Sequence, residues 1–198
     1  MKKIVFLVLM FGCAYSFADD LSKTNTAAGS SDNDLSGGSY NTGGYGEVQL
    51  GSGNSSGLNS GVNSAAAFRV DVGDKINPYF GFEGGITMLG KPSAGNFTAG
   101  LQFFDVSATG YLPLGNYFDF HGQVGMAYVS VNSVENFNPG GLNQIEPAFK
   151  GLIGVGFDAY VSKSCAITVN DYNYVGTASL AGGGNTNVIM GGFKYDFR

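Results

Sequence analysis

Alternating apolar and polar residues run through most of the chain after residue 45, and residues 67–89 are the clearest example. There, two alternating runs flank residues 74–78, which include an Asn-Pro turn signal. Successive side chains in a strand point to opposite faces, so Phe68, Val70 and Val72 share one face of the first run. The pattern predicts a β-hairpin.

The other face of this hairpin carries its charges. Arg69 and Asp71 lie on the first run and Glu83 lies on the second. If the pairing is centred on Ile76, Arg69 lies directly opposite Glu83. Charges on one face and an apolar band on the other are typical of a membrane barrel, with lipid outside and a polar lumen inside.

The same alternation predicts eight strands, at residues 45–50, 67–73, 79–89, 101–111, 117–129, 149–161, 165–175 and the end of the chain. The connections between them alternate in length. Long connections are predicted at 51–64, 90–100, 130–147 and 176–186, and short ones at 74–78, 112–116 and 162–164. An up-and-down barrel with long outer loops and short periplasmic turns produces this alternation.

The seventh strand departs from the simple pattern. Its first apolar residues, such as Ile167, face outward, and strict alternation would then direct Asp171 at lipid. A charge near the middle of a bilayer costs a few kcal/mol. The sequence therefore predicts a β-bulge at Asn170–Asp171, which would return Tyr172 and Tyr174 to the outer face.

The alternation also assigns side chains to the two faces. We expect these aromatic residues to face lipid: Phe80, Phe82, Phe104, Phe118, Phe120, Phe157, Phe193, Tyr195 and Phe197. We expect a polar network in the lumen, formed by Glu47, Arg69, Asp71, Glu83 and Lys194.

Closure of the barrel would bring the last strand beside the first, which makes Lys194 and Glu47 neighbours. Buried charges are stable only when they are paired and hydrogen-bonded. The lumen residues are therefore expected to form a polar plug that keeps the barrel closed to solutes.

The chain begins with the pattern of a secretory signal peptide. Lys2 and Lys3 precede an apolar run at residues 4–12, and Ser16-Phe17-Ala18 fits a cleavage site. A lipoprotein signal ending at Cys13 is the alternative. The predicted organisation is a signal peptide at 1–18, a flexible polar N-terminal tail at 19–44 and an outer-membrane β-barrel domain at 45–198.

Composition narrows the classes of function. The chain has 33 glycines among 198 residues, only 13% charged residues and a formal net charge of −5. Removal of the signal peptide leaves 8 basic residues against 15 acidic ones, a formal net charge of −7, which excludes nucleic acid as a partner. It also leaves Cys165 as the one cysteine, so the sequence predicts no intramolecular disulfide.

Two stretches resemble a known family. The run from Phe68-Arg69-Val70 through Asn77-Pro78-Tyr79-Phe80 to Gly81-Phe82-Glu83-Gly84-Gly85 resembles the second and third strands of small bacterial outer-membrane barrels of the OmpA/OmpX type. The ending Phe193-x-Tyr195-x-Phe197 resembles the C-terminal signal that barrel-assembly machinery reads, although Arg198 follows the aromatic that usually comes last.

The resemblance covers Tyr45 to Arg198 and implies an all-β fold, an eight-stranded antiparallel up-and-down transmembrane β-barrel. It implies a place in the cell outer membrane, among outer-membrane lipid and lipopolysaccharide, with help from barrel-assembly machinery during insertion. A monomer is expected. The alternative is a soluble secreted sandwich or lipocalin-like barrel, because periodicity alone does not say which face is inside.

The sequence predicts no catalytic, cofactor or metal site. His121 is the one histidine, and it lacks the His-x-Ser arrangement of small outer-membrane deacylases, since Gly122 and Gln123 follow it. One histidine and one mature cysteine give no zinc constellation. The glycine run at 182–184 lacks the strand–helix context of a phosphate-binding loop.

Two classes of function remain. The first is a structural or surface-interaction protein, an adhesin or envelope component, whose long outer loops meet a host or cell-surface partner. The second is a narrow channel or a lipid-modifying outer-membrane enzyme. Eight strands leave an interior that side chains can fill, which disfavours an open general porin.

Overall fold

The computed structural model describes residues 40–55, 64–90, 93–94, 97–135, 148–176 and 185–197. Within them the strands are β1 (Gly43–Ser55), β2 (Ala65–Asn77), β3 (Phe80–Leu89), β4 (Ser93–Ala94), β5 (Phe97–Pro113), β6 (Phe118–Glu135), β7 (Ala148–Tyr160), β8 (Cys165–Val175) and β9 (Thr186–Asp196). The two-residue β4 pairs only with the start of β5, and the other eight strands form the barrel.

These eight strands form one closed antiparallel sheet. Its order is β3-β2-β1-β9-β8-β7-β6-β5, and the pairing of β3 with β5 closes the ring. The first and last strands of the chain lie side by side, with Glu47 opposite Lys194. The predicted eight-stranded antiparallel up-and-down barrel is confirmed. A closed barrel leaves no sheet edge, so the strands satisfy their backbone groups among themselves.

The two faces of the barrel differ in polarity. Outward side chains are apolar and open, as in Val106 and Val124, which are 67% and 64% exposed. The buried charged side chains point inward, as in Arg69, which is 0% exposed. A soluble lipocalin-like barrel has the reverse distribution. In the described part of the chain, no helix is long and apolar enough to cross a membrane.

The register of the first hairpin differs from the prediction. β2 continues to Asn77 and β3 begins at Phe80, so the turn is tight and the pairing is centred near residue 78 rather than Ile76. Arg69 therefore lies opposite Thr87, and not opposite Glu83 as predicted. The Asn77 side chain accepts a hydrogen bond from the Tyr79 backbone amide at 2.9 Å, which stabilises this shorter turn.

The predicted β-bulge in β8 is absent, and that prediction was wrong. The pairing of Asn170 and Asp171 with β7 and with β9 is continuous. Tyr172 and Tyr174 lie inside the barrel, at 1% and 0% exposure, and Asp171 lies on the outer wall. The hydrogen-bond partners that the lumen offers to the two tyrosine hydroxyls outweigh the cost of placing Asp171 on the outer wall.

Several strands are longer than predicted, because a neighbouring strand supplies backbone hydrogen bonds whatever the side chain is. The Gly- and Ser-rich residues 51–55, predicted as loop, continue β1 by pairing with β2 and β9. β6 likewise extends to Glu135. Residues 56–63, 136–147 and 177–184 of the predicted long loops, the predicted signal peptide and most of the predicted tail lie outside the described residues and stay predictions.

Cys165 is buried at the start of β8, with 1% exposure. The prediction of no intramolecular disulfide concerns the chain without residues 1–18, and it stays a prediction.

The outer wall gives a prediction about membrane depth. Val124 lies near the middle of the outward face of β6, and Ser130 lies six residues further along the same face. Val124→Arg is expected to lower the free energy of unfolding in bilayers by about 2–4 kcal/mol, and Ser130→Arg by about 0–1 kcal/mol, because the cost of a cation falls toward the interface. Urea titration in vesicles measures both, and equal losses would contradict the depth assigned to β6.

Candidate functional site in the barrel interior

The interior of the barrel has two layers. The half near the long connections is filled by apolar and aromatic side chains: Ala65, Ala67, Leu89, Leu101, Phe103, Ala127, Val129, Leu152, Tyr172, Tyr174, Val188 and Met190. Phe103 and Tyr174 stack there with ring centroids 4.1 Å apart. The half near the short turns is filled by polar and charged side chains. The polar layer was predicted from the alternation of the strands, and the apolar layer was not.

Arg69 is the centre of the polar layer. Its Nε donates to Asp71 at 2.9 Å, and its Nη2 donates to Glu83 at 2.9 Å. Asp105 accepts two parallel hydrogen bonds, from Nη1 at 2.7 Å and Nη2 at 2.9 Å, and Thr87 accepts the last one at 2.9 Å. All five N–H donors of the guanidinium are therefore satisfied inside the barrel.

The lumen is shaped around this guanidinium. The Cζ atom of Arg69 lies 4.4 Å from the centre of the Tyr172 ring, a cation–π contact. On its other side, Gly85 provides the space, because a Cβ at that position would overlap the guanidinium. The Arg69–Glu83 ion pair exists although the two residues are not opposite each other, because the long side chain reaches along the strands.

Two tyrosines connect this centre to a second group of charges. The hydroxyl of Tyr45 donates to Glu83 at 2.9 Å and lies 2.9 Å from the hydroxyl of Tyr111. The ammonium of Lys194 lies 4.2 Å from the centre of the Tyr45 ring, and that of Lys75 lies 4.4 Å from the centre of the Tyr111 ring. Each tyrosine thus contacts a cation with its ring and a polar partner with its hydroxyl.

Both lysines also form ion pairs. Lys194 lies 2.8 Å from Asp158, and Lys75 lies 2.7 Å from Asp119. All four side chains are almost completely buried, so water screens these pairs little. They close the lumen at the end near the short turns.

Glu47 lies in the lumen beside Lys194, but the ion pair of Lys194 is with Asp158. Glu47 instead accepts a hydrogen bond at 3.0 Å from the side-chain amide of Asn170, which also donates to Gln49 at 3.1 Å. Gln49 in turn donates to Asp71 at 3.1 Å, so Glu47 joins the Arg69 group through two amides.

The structure places all five residues of the predicted network in the lumen, and it adds others. Asp105, Asp119, Asp158, Lys75 and the tyrosines were not in the predicted set. Asp105 and Asp158 lie on the polar faces of alternating runs, so the sequence carried a signal for them. Lys75 was assigned to a turn, and the longer β2 moved it inside.

The buried part of the lumen is acidic. Its described carboxylates are Glu47, Asp71, Glu83, Asp105, Asp119, Asp158 and Asp196, and its cations are Arg69, Lys75 and Lys194. Among the described residues, no group of three or more His, Cys, Asp and Glu is arranged to hold a metal ion.

His121 belongs to the wall of this network. Its Nε2 lies 2.8 Å from the Oδ1 of Asn170, and its Nδ1 lies 3.7 Å from Asp158. Its ring packs beside that of Tyr111, with centroids 5.7 Å apart. These contacts give it a packing and hydrogen-bonding role.

The predicted lipid-facing aromatics lie on the outer face by the alternation of the strands. Those that are well exposed are Phe80, Phe82, Phe104, Phe118, Phe120, Phe157 and Phe197. Phe193 and Tyr195 are half-buried. Phe193 lies opposite Val48, which is only 3% exposed on the same wall.

The comparisons with known proteins agree with this architecture. The model of the outer membrane protein beta-barrel domain family matches residues 4–197. Among curated protein sequences, none matches the chain.

Solved outer-membrane barrels share the fold. Neisserial surface protein A is 16% identical, with a TM-score of 0.60 over 78% of this chain and 97% of that chain. OprG from Pseudomonas aeruginosa is 14% identical, with a TM-score of 0.52 over 81% and 99% of the two chains. The attachment invasion locus protein Ail of Yersinia pestis is 14% identical, with a TM-score of 0.51 over 78% and 99%.

The Arg69 centre generates a prediction. Arg69→Met leaves three buried carboxylates without their shared partner, and it is expected to lower the free energy of unfolding by about 3–5 kcal/mol. Adding Asp105→Asn should recover part of the loss, because Asp105 holds the bidentate contact. Urea unfolding in vesicles measures all three proteins. If the double variant is less stable than Arg69→Met, the unpaired buried carboxylates are not the cause of the lost stability.

Proposed function

Because this chain belongs to the outer membrane protein beta-barrel domain family, and is therefore an integral protein of the Gram-negative outer membrane, we propose that it has a structural or surface-interaction role. Its long outer loops carry that role. The barrel anchors the loops and is not an open general porin. We also propose that it is not an enzyme.

The filled interior is the observation that carries this proposal. Two buried layers cross the lumen in series, the stack of Phe103 on Tyr174 near the long connections and the ion pairs of Arg69, Lys75 and Lys194 below it. An eight-stranded barrel is just wide enough for side chains to fill. A solute would have to displace both layers to cross the barrel. Transport of solutes through the lumen is therefore not the proposed function.

The two longest strands extend toward the outer end of the barrel. β5 and β6 are the longest strands, with 17 and 18 residues. A transmembrane strand needs about 9–11 residues, so this hairpin is long enough to project beyond the bilayer and present the connection that follows β6. Binding residues are often found on loops that a rigid scaffold positions.

The proposed partners follow from this placement. Outer-membrane lipid and lipopolysaccharide surround the apolar wall, and barrel-assembly machinery acts during insertion on the aromatic C-terminal residues. A host or cell-surface molecule is the proposed partner of the loops.

A narrow cation channel is the second candidate, and the acidic lumen favours it. Seven buried carboxylates against three cations would attract cations and repel anions if the network opened. A lipid-modifying enzyme is the weaker alternative, because the contacts of His121 with Asn170 and Asp158 supply no nucleophile.

The surface role is tested on intact cells. Residues 136–147 are replaced by a Gly-Ser linker of equal length, which leaves β6 and β7 whole. Loss of capture of a host-cell or envelope partner is expected, with unchanged heat-modifiable mobility of the barrel in detergent gels. The matched control replaces residues 162–164, a short turn at the opposite end. A second variant replaces residues 177–184, in the connection between β8 and β9, in the same way. If both variants still capture the partner as well as the wild type does, the proposal is contradicted.

The closed lumen is tested in planar bilayers. The wild-type protein is expected to give only small, irregular conductance, because its buried ion pairs and stacked rings occupy the pathway. Large, steady, cation-selective conductance in the wild type would instead establish the channel.

A further inference from the structure

A group of five polar residues interrupts one side of the lipid-facing wall of the barrel. Ser52 and Asn54 lie on β1, Asp171 and Asn173 on β8, and Asn187 on β9, which lies between those two strands. We call this group the outer polar patch. Asn173 lies opposite Asn187, and Asn187 lies opposite Asn54, so the amides form a row across three strands.

The alternation of burial fixes the orientation of the patch. Tyr172, Tyr174 and Val188 are the sequence neighbours of its members and point into the lumen, with 0–1% exposure. Asp171, Asn173 and Asn187 are half-buried on the opposite face. The patch therefore belongs to the wall that faces the hydrocarbon, and not to the polar interior.

The depth of Asp171 follows from the strand pairing. Asp171 lies opposite Val155, and the same row continues through Gly122 and Gly110 to Phe80, at the turn end of β3. From β3 to β8 this row crosses four strand-to-strand spacings of about 4.8 Å each. Because the strands tilt by about 40° from the barrel axis, Asp171 lies about 12 Å above Phe80 along that axis. The apolar band of such a barrel is about 25 Å tall, so Asp171 lies near its middle.

A carboxylate and amides at this depth need hydrogen-bond partners, because hydrocarbon supplies none. The chain supplies some of them, since the side-chain amide of Asn187 donates to Asp171. The Oδ1 atom of Asn173 is covered and has no hydrogen-bond partner within the described chain. On the opposite wall, at a similar depth, the outward residues are apolar, such as Val124 and Val106.

We propose that the outer polar patch is the contact surface of a homodimer in the membrane. Two copies with the same orientation are related by a two-fold axis along the membrane normal, which keeps every residue at its own depth. An axis between β8 and β9 places Asn173 of one copy against Asn187 of the other. Carboxamides both donate and accept, so these amides are complementary to each other. This dimer replaces the monomer expected from the sequence.

The surroundings of the patch suit close packing of two barrels. Ile153, Val155 and Ile189 flank it and are 48–57% exposed, so they offer apolar contact area. Gly151 and Gly191 lie on the same wall and have no side chain to keep a second copy away. Small residues that allow close backbone approach and polar residues that hydrogen-bond across the contact are the two features of membrane interfaces.

Depth argues against lipopolysaccharide as the occupant. The phosphates of lipid A lie at the headgroup level, whereas Asp171 lies near the middle of the apolar band, where lipid offers only acyl chains without hydrogen-bonding groups. The carboxylate of Asp171 accepts a hydrogen bond from Asn187 of its own copy. A second copy can supply further amide groups at the same depth.

The experiment measures association in bilayers. Full-length protein labelled at its amino terminus with donor or acceptor dye is mixed in phosphatidylcholine vesicles, with and without lipopolysaccharide, over a range of protein-to-lipid ratios. The test variant combines Asp171→Leu, Asn173→Leu and Asn187→Leu. Leucine on a lipid-facing wall is favourable, so this variant is expected to fold, which heat-modifiable gel mobility verifies. The control combines Gln102→Leu and Ser130→Leu, outward positions on β5 and β6 across the barrel.

Wild type and control are expected to show concentration-dependent energy transfer in both kinds of vesicle, and the triple leucine variant to associate at least about tenfold more weakly. Energy transfer at the random level for wild type at every ratio overturns the dimer. Undiminished transfer in the triple variant also overturns it, because another surface then forms the contact. Transfer that requires lipopolysaccharide assigns the patch to lipid and overturns it as well. None of these outcomes depends on the role of the loops.

Discussion

Closure of an eight-stranded sheet imposes the main constraint on this protein. With lipid outside, the lumen is the place where charged side chains can pair, and it is narrow enough that they must satisfy one another. Arg69 meets this requirement by donating all of its N–H groups to Asp71, Glu83, Asp105 and Thr87. Because the three carboxylates come from β2, β3 and β5, the guanidinium also joins three neighbouring strands across the barrel closure.

The rest of the interior is arranged around this centre. Tyrosines fill the space between the ion pairs. Tyr45, for example, contacts the Lys194 ammonium with its ring and donates a hydrogen bond from its hydroxyl to Glu83. Gly85 has no side chain, and this leaves room for the guanidinium of Arg69. Above this layer, Phe103 and its neighbours replace charge with apolar packing. A lumen filled in this way supports our proposals that recognition takes place at the outer loops and at the wall.

The wall is where the simple division between polar inside and apolar outside fails. Asp171 and the amides of Asn173 and Asn187 face outward because Tyr172 and Tyr174 take the inward positions of β8. Strict alternation couples these choices, since neighbouring residues of one strand occupy opposite faces. The tyrosines gain partners in the lumen, with Tyr172 bonded to Gln49 at 2.7 Å and Tyr174 to Thr87 at 2.9 Å. The polar groups left outside then define a surface that a second copy can satisfy.

The sequence by itself determined the all-β class, the number of barrel strands and the face on which Arg69, Glu83 and Phe82 lie, because side-chain alternation is a local property of a strand. It did not determine the register of the first hairpin, which depends on the tight turn after Asn77. Nor did it determine the partner of Lys194, since Asp158 is on a strand that is distant in sequence and reaches Lys194 across the lumen. The prediction of a bulge in β8 was wrong for the same reason, because the contacts that decide it come from strands distant in sequence. Only the closed barrel brings β8 against both neighbours and opposite Arg69, and the free energy of those contacts decides which residues face inward.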